Sequence, residues 1–210
     1  MRIYFNRNNF NYDWWSLTQS YLMNVKPEHT VLEIGASVPE RTRQLASKCR
    51  RLLGVELFKD RMPAPEGNIE YVNADWQELS KHVPENSIDI AISSHVIEHV
   101  TDDLKALNEL FKVLKPGGIA LINTPNRKRL TRAVIELFTG ERKFPYWEHQ
   151  REYVENDLER LLAASSFRTG NIIPIVFGIH GGPVFCYMEE APASLRKFAN
   201  YWEVHLTKKA

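Results

Sequence analysis

Residues 31–40, VLEIGASVPE, decide the fold of this chain. The apolar first half ends in Glu33 and Ile34, and a short turn at Gly35 leads to a helix start at Pro39. Open α/β sheets use this order of strand, close-approach loop and helix N-terminus to bind nucleotide-like ligands. Ser37 and the glutamate three residues later also have the spacing of a capping box, which predicts Ser37 as the N-cap of the helix.

Two further carboxylates follow the next predicted strands. The segment LLGVE at 52–56 ends in Glu56, and an acid at the tip of a second strand can accept hydrogen bonds from two ribose hydroxyls. Asp75 and Trp76 follow the third strand, where Asp75 can accept from an adenine amino group and Trp76 can stack on the ring. The carboxyl ends of parallel strands share one edge, so we expect these residues to lie near Glu33.

Apolar runs and helical patterns alternate along the rest of the chain, which predicts an α/β fold with a doubly wound, parallel sheet. The last two strands are expected to form a pair that adds an antiparallel strand at the sheet edge. Lys-Pro-Gly-Gly at 115–118 is expected to end a helix before the fifth strand. Strands are predicted at 30–34, 52–56, 69–73, 87–93, 119–123, 171–179 and 201–208, and helices at 13–25, 39–49, 104–114 and 155–165.

Length and composition limit the class of protein. The 210 residues suffice for one α/β domain, expected over 1–210, with an N-terminal helical cap at 1–28 and a lid insertion at 125–153. A formal net charge of +1 gives no general attraction to nucleic acid or membranes, and no apolar run approaches a membrane span. Cys49 and Cys186 are expected to be reduced thiols, and without a signal peptide a cytoplasmic location is expected.

Several segments together resemble one large enzyme family. The segments are VLEIGAS, NADWQEL, SIDIAISSHVIEHV, LNELFKVLKPGGIALINTPN and EHQREYVENDLERLLAASSF. They are similar to the class I S-adenosylmethionine-dependent methyltransferases, close to the group that includes the ubiquinone and menaquinone biosynthesis enzymes. The resemblance covers roughly residues 28–208. It implies a Rossmann-like, three-layer α/β/α fold whose seven-stranded sheet is mostly parallel with an antiparallel last strand.

The resemblance also implies S-adenosyl-L-methionine as cofactor and a set of residues around it. Glu33, Gly35, Ala36 and Ser37 would border the methionine part, Glu56 would bind the ribose, Asp75 and Trp76 would hold adenine, and Ser93 and Ser94 would line the cofactor near the sulfonium. The first loop departs from the family pattern because it keeps one glycine. A degenerate binding or regulatory protein of the same fold is therefore an alternative. A nicotinamide dehydrogenase is disfavoured by the missing glycines.

The cluster HVIEH at 95–99 has three interpretations. In the family, this stretch shapes the turn after the fourth strand. On a helix, His95, Glu98 and His99 would share a face and, with His149, bind a divalent metal. That arrangement is similar to the Glu-x-x-Glu-His site of metal-dependent small-RNA 2′-O-methyltransferases, with His95 in place of the first glutamate. A zinc protease would need the motif on one long helix. We predict His99 and His149 as catalytic bases and assign no metal.

The acceptor side is aromatic and basic. In this fold the N-terminal helix and the insertion after the fifth strand contact the acceptor. Such a surface suits a small-molecule, glycan or lipid-precursor acceptor, and the short basic segment argues against nucleic acid. The sequence does not indicate the oligomeric state. The aromatic residues are Trp14, Trp15, Tyr21, Phe138, Phe144, Tyr146 and Trp147, and the basic ones are Arg127, Lys128, Arg129, Arg132, Arg142 and Lys143.

Overall fold

Residues 31–40 form the predicted strand, turn and helix in a computed structural model of the chain, which describes residues 2–5, 24–140, 148–178, 184–187 and 191–209. The strands are β1 Arg2–Phe5, β2 Thr30–Ile34, β3 Arg51–Glu56, β4 Ile69–Asn73, β5 Ile88–Ser94, β6 Leu114–Pro125, β7 Asn171–Ile175, β8 Phe177–Gly178, β9 Val184–Tyr187 and β10 Tyr201–Thr207. The α-helices are α1 Pro39–Ala46, α2 Asp103–Val113, α3 Leu130–Thr139, α4 Glu155–Ala164 and α5 Ala193–Arg196. Short 3₁₀ helices span Lys59–Arg61, Trp76–Lys81 and Ile97–His99.

The main sheet has seven strands in the order β4-β3-β2-β5-β6-β10-β7. Strands β2 to β6 pair in parallel, and β10 pairs antiparallel with both β6 and β7. This topology confirms the predicted doubly wound fold, with its antiparallel last strand.

The predicted pair of last strands, β7 and β10, lies at one edge of the sheet. Within this pair the antiparallel strand β10 is not outermost, because it lies between β6 and β7 and has neighbours on both sides. Both faces of β10 are buried, since Tyr201 and Glu203 are as buried as Trp202 and Val204.

A second, three-stranded sheet, in the order β1-β9-β8, was not predicted from the sequence. Strand β9 pairs antiparallel with β1 and with β8. The sequence prediction joined β7 and β8 into one strand, whereas Val176 interrupts them with a left-handed backbone, φ 57°. A β-branched residue is uncommon at positive φ, so sequence patterns give no signal for this break.

The core forms two layers, one on each face of the main sheet. One layer contains Leu32 and Val55 from the strands with Leu107 and Leu110 of helix α2, and the other contains Val31, Leu52 and Leu45 of helix α1. Asp102 caps α2 by accepting a hydrogen bond from the Lys105 amide at 2.9 Å, as expected for a helix that starts after a Thr-Asp-Asp sequence.

Two predicted element boundaries need correction. Helix α1 begins with Pro39 in its first turn as predicted, but its N-cap is Val38, and Ser37 is exposed without the predicted capping bond. Strand β6 begins at Leu114, before the glycines expected to precede it. The register between β5 and β6 shifts after Ile88, so the Lys-Pro-Gly-Gly segment fits into an irregular part of the strand pair.

Among the helices in the described part of the chain, none is both long and apolar enough to cross a membrane.

Candidate functional site

The carboxyl ends of β2 and β5 form a topological switch point at the centre of the sheet. From β2 the chain continues to β3 on one side, and β5 pairs with β2 on the other side. Ligands of open α/β folds bind in the crevice at such a point. The parallel register brings the ends of β2, β3, β4 and β5 to this edge, and with them Glu33, Glu56, Asp75 and Ser93.

The loop after β2 is folded down onto β3. The amides of Gly35 and Ala36 both donate to the Val55 carbonyl, at 2.8 and 3.2 Å. Gly35 has φ 78°, and a Cβ there would lie 2.5 Å from Val96 Cγ2, so only glycine fits. Ala36 is fully buried beside Gly54. These two amides are therefore engaged within the protein and are not available to a ligand.

Glu33 is buried and ion-paired. Arg41, in the first turn of α1, donates through Nε to Glu33 Oε1 at 2.6 Å and through Nη2 to the Gly35 carbonyl at 3.1 Å. The second oxygen of Glu33, Oε2, is buried without a hydrogen-bond partner. Arg41 was not predicted as a site residue, because an arginine in the first turn of a helix is usually exposed to solvent.

Glu56 lies at the end of β3 and is buried. Its Oε1 accepts a hydrogen bond from the Phe58 amide at 3.1 Å, while Oε2 makes no hydrogen bond to a residue in the described part of the chain. The main-chain carbonyl of Glu56 is held by Asn73 Nδ2 at 2.9 Å. The carboxylate is thus fixed in position with one oxygen left for another donor.

Asp75 and Trp76 have structural contacts of their own. Asp75 caps a 3₁₀ helix by accepting from the Gln77 amide at 2.8 Å, and Gln77 Nε2 lies 3.0 Å from its other oxygen. The Trp76 ring is 3% exposed and packs in the core, with Nε1 buried without a partner. The ring therefore contributes to the core and is not an open stacking surface.

Polar groups without partners also occur at the ends of β5 and β6. Ser93 Oγ is buried without a hydrogen bond, and Ser94 is half-buried. Asn123 pairs with Ser94 in the strand register and is fully buried, and neither atom of its side-chain amide has a partner. Buried polar atoms normally have partners, so these positions are candidates for ligand contact. The sequence analysis missed Asn123, although its place at the end of a predicted strand was a usable signal.

The turn after β5 carries the HVIEH cluster. His95 has φ 57°, and a 3₁₀ helix spans Ile97–His99, so the helical face predicted for His95, Glu98 and His99 does not form. Glu98 is fully buried, with Oε2 accepting from Thr124 Oγ1 at 3.1 Å and Oε1 lying 3.3 Å from His95 Nδ1. Burial raises the pKa of Glu98, but the hydrogen bond and charge of His95 outweigh it and lower that pKa.

His99 and His149 lie in contact although they are 50 positions apart in the sequence. Their rings pack edge to face with centroids 4.7 Å apart. His99 Nδ1 lies 3.1 Å from the Glu148 carbonyl, and His149 Nδ1 lies 3.0 Å from Glu152 Oε1. One ligand atom from each of Glu98, His99 and His149 lies within 4.8 Å of the others. His95 does not belong to this group.

Glu152 is the buried centre of an ion-pair cluster. It accepts from Arg129 Nη1 at 2.8 Å and also from Arg132 Nη1, and both arginines are buried. Burial alone would raise the pKa of Glu152. Hydrogen bonds from His149 and Arg129, together with the charges of Arg129 and Arg132, lower that pKa to about 2. These two arginines therefore support the position of His149, whereas the sequence analysis assigned them to the acceptor surface.

Most of the predicted acceptor surface lies outside the described residues. This applies to Trp14, Trp15, Tyr21, Arg142, Lys143, Phe144, Tyr146 and Trp147, and to the helix predicted at 13–25 except for its last residues. Within the described part, Leu137 and Phe138 of helix α3 are largely exposed.

Known proteins match the sequence over its central part. Residues 32–122 match the family described as "Methyltransferase domain". A probable S-adenosylmethionine-dependent methyltransferase of Mycolicibacterium smegmatis is 28% identical over 171 residues, which cover 73% of this chain and 61% of that protein. The ubiquinone/menaquinone biosynthesis C-methyltransferase UbiE of Vibrio cholerae is 32% identical over 109 residues, covering 46% of this chain and 41% of that enzyme. The chain thus spans less than two thirds of the length of either relative.

Solved structures match over nearly the whole chain. A SAM-dependent methyltransferase of Thermotoga maritima, described as a possible histamine N-methyltransferase, has a TM-score of 0.66 at 20% identity and covers 93% of this chain and 89% of its own. An S-adenosylmethionine-dependent methyltransferase of Mesorhizobium loti has a TM-score of 0.62 at 18% identity, with coverages of 92% and 97%. Likeness at this identity shows the fold.

The sequence matches and the shared fold point to one class of protein. Residues 32–122 match a methyltransferase domain, and the chain is similar in sequence and in fold to S-adenosylmethionine-dependent methyltransferases, the family that its motifs resemble. S-adenosylmethionine is the methyl donor that this family implies.

The Glu152 cluster generates a stability prediction. Glu152→Gln would leave two buried guanidinium groups without their shared carboxylate, so we expect the free energy of unfolding to fall by about 3 kcal/mol at pH 7. Because the pKa of Glu152 is about 2, below its ordinary 4.5, the stabilisation exists above pH 4.5 and disappears as the pH falls through 2. Urea denaturation of both proteins across this range measures the difference.

Glu66→Gln is the matched control. Glu66 pairs with Arg43 at 2.8 Å, but both side chains are more than half exposed, so we expect a change of about 0–1 kcal/mol. A similar small effect at Glu152, or a difference that persists unchanged at acid pH, would contradict the assigned role of the cluster.

Proposed function

We propose that the chain transfers the methyl group of S-adenosylmethionine to a small-molecule, glycan or lipid-precursor acceptor. The observation that carries this proposal is the buried Glu56 carboxylate, whose Oε1 is held by the Phe58 amide while Oε2 has no partner among the described residues. A carboxylate presented in this way at the second strand of the domain suits the hydroxyls of a ribose. The family match over residues 32–122 supports the same reaction.

The residues present fit the donor. Glu56 would hold the ribose, Asp75 would border adenine with the buried Trp76 ring supporting this turn from the core, and Glu33 would face the amino-acid end. Ser93, with its unpartnered hydroxyl, and Ser94 would line the cofactor near the sulfonium. The methyl group on a sulfonium is already activated, so the protein has to align the acceptor and exclude water.

His99 and His149 are proposed to act on the acceptor. A hydroxyl acceptor needs a base within hydrogen-bond reach as its proton is lost. His149 Nδ1 lies 3.0 Å from an oxygen of Glu152, a carboxylate held ionised by two arginines, and this contact would fix the orientation of the imidazole. His99 packs against this ring and is oriented by the Glu148 carbonyl.

A second candidate function, a metal-dependent O-methyltransferase, is favoured by one specific observation. Glu98, His99 and His149 each offer a ligand atom, and these atoms lie within 4.8 Å of one another. Two imidazoles and a carboxylate that leave coordination positions open form a typical catalytic set for zinc and related divalent ions. In that case the ion would polarise the acceptor hydroxyl in place of a histidine base.

The main test is direct. The purified chain is incubated with methyl-labelled S-adenosylmethionine and separate small-molecule, glycan and lipid extracts, and we expect label in at least one fraction. Calorimetry should detect S-adenosylhomocysteine binding and no binding of NAD. Binding without transfer would favour a regulatory protein of the same fold, and binding of NAD alone would exclude a methyltransferase.

Glu56→Gln tests the ribose contact. We expect S-adenosylhomocysteine to bind more weakly by about 1–3 kcal/mol, because a charged acceptor is lost from two hydroxyl donors. Glu70→Gln is the matched control, since Glu70 is an exposed acid on the neighbouring strand β4, ion-paired with Arg51 at the surface. Unchanged affinity in Glu56→Gln would mean that other residues hold the ribose.

Metal titration separates the two roles of the histidines. If they act as bases, Zn²⁺ and Mn²⁺ should bind the dialysed wild-type chain no more tightly than the His149→Gln variant, and labelled transfer should persist in excess chelator. Metal binding in the wild type that is lost in His149→Gln, together with transfer abolished by chelator, would replace the base mechanism with the metal-dependent one.

A further inference from the structure

The amino-acid end of the cofactor has to be recognised without the amides of Gly35 and Ala36. In a glycine-rich loop, backbone N–H groups point at the ligand. Here the amides of Gly35 and Ala36 are both bonded to the Val55 carbonyl, and Ser37 is exposed beyond them. Some other group must balance the negative carboxylate of the methionine part.

Arg41 is a positively charged residue that contacts this loop directly. It bonds the Gly35 carbonyl through Nη2 and Glu33 through Nε, which leaves Nη1 without a hydrogen bond to any residue that the structure describes. Its side chain is 14% exposed, whereas the Glu33 side chain that it contacts is fully buried. Glu33 Oε2 is unpartnered and fully buried beside it.

We infer that Arg41 binds the carboxylate of the cofactor's methionine part, with Glu33 accepting from its ammonium group. The inference rests on the proposed function. The amino-acid end is a zwitterion, and Glu33 with Arg41 presents the opposite pair of charges, each with a hydrogen-bonding atom to spare. A guanidinium has the planar donor geometry that carboxylates prefer. Arg41 thereby takes over the recognition that the missing glycines would otherwise provide.

The position of Arg41 supports this role. It lies in the first turn of helix α1, two residues after Pro39, where the helix dipole adds positive potential for an anion. The hydrogen bond to the Gly35 carbonyl holds the guanidinium beside the loop, next to the candidate ligand site. Arg43, two residues further along the same helix, instead pairs with Glu66 at the surface.

The experiment compares two ligands that differ only at the amino-acid end. S-adenosylhomocysteine carries the zwitterion, whereas 5′-methylthioadenosine keeps the adenosine and thioether and lacks it. In Arg41→Gln we expect S-adenosylhomocysteine to bind about 10- to 100-fold more weakly, the effect of losing a hydrogen bond between charged groups, and 5′-methylthioadenosine to bind within about 2-fold of wild type. Calorimetry measures both dissociation constants.

Arg43→Gln is the matched control and should leave both constants unchanged, since Arg43 pairs only at the surface. Arg41→Lys keeps the charge and loses the planar fork, so a smaller weakening confined to S-adenosylhomocysteine is expected. This variant decides the question if Arg41→Gln does not fold.

Each contrary outcome has one meaning. Equal weakening of both ligands in the Arg41 variants would make Arg41 a structural residue and overturn the inference. Unchanged binding of S-adenosylhomocysteine in the Arg41 variants would also overturn the inference. In either case, binding of 5′-methylthioadenosine to the wild-type chain would leave the proposed function intact. A wild-type chain that binds neither ligand would overturn the proposed function and the inference together.

Discussion

The hydrogen bonds from Gly35 and Ala36 to the Val55 carbonyl are the constraint on which the candidate site depends. They extend the β2–β3 pairing beyond the end of the sheet and fold the first loop flat against β3. Gly54 makes this approach possible, because a Cβ there would lie 2.9 Å from the Ala36 Cβ. Because the loop lies against β3, the amides of Gly35 and Ala36 serve the fold, and the side chains at the strand ends are the groups through which we propose recognition.

The buried charges at this edge each have a defined neighbour. Glu33 is bonded to Arg41, Glu56 to the Phe58 amide, and Glu98 to Thr124 and His95. Burying a carboxylate is unfavourable unless it is paired, so these contacts explain how acids are kept at the strand ends. Several polar atoms at the same edge still lack partners, and each unsatisfied buried group costs about 1–3 kcal/mol. A site that binds a polar ligand accounts for their presence.

The sequence predicted the fold well because its signals are local. Glu33, Glu56 and Asp75 come to one edge because three consecutive strands are parallel, and the apolar runs that form those strands are continuous in the sequence. The position of β10 between β6 and β7, and the small second sheet, were not predictable in the same way. Both depend on pairing between segments far apart in the chain, for which a single sequence carries no register information.

Side-chain contacts were the less predictable part of the site. The Ser37 capping box satisfied the sequence rule, yet Val38 is the N-cap, because the loop is held by Val55 before the helix begins. Arg41 and Asn123 gained their roles from burial, which a charge or an amide in a sequence does not indicate. His99 and His149 were predicted separately, and only the fold brings their rings together.

The contacts of Glu98 bear on the choice between a histidine base and a metal ion. Its two oxygens already face Thr124 Oγ1 and His95 Nδ1, and the neighbouring His95 keeps the pKa of this carboxyl low. An ion bound through Oε2 would have to replace the Thr124 contact inside the core, whereas Oε1 is buried without a hydrogen bond. His149 is already held by Glu152, an arrangement that suits the base we propose. The two proposed roles therefore differ in whether Glu98 binds an ion or only shapes the turn beside His99.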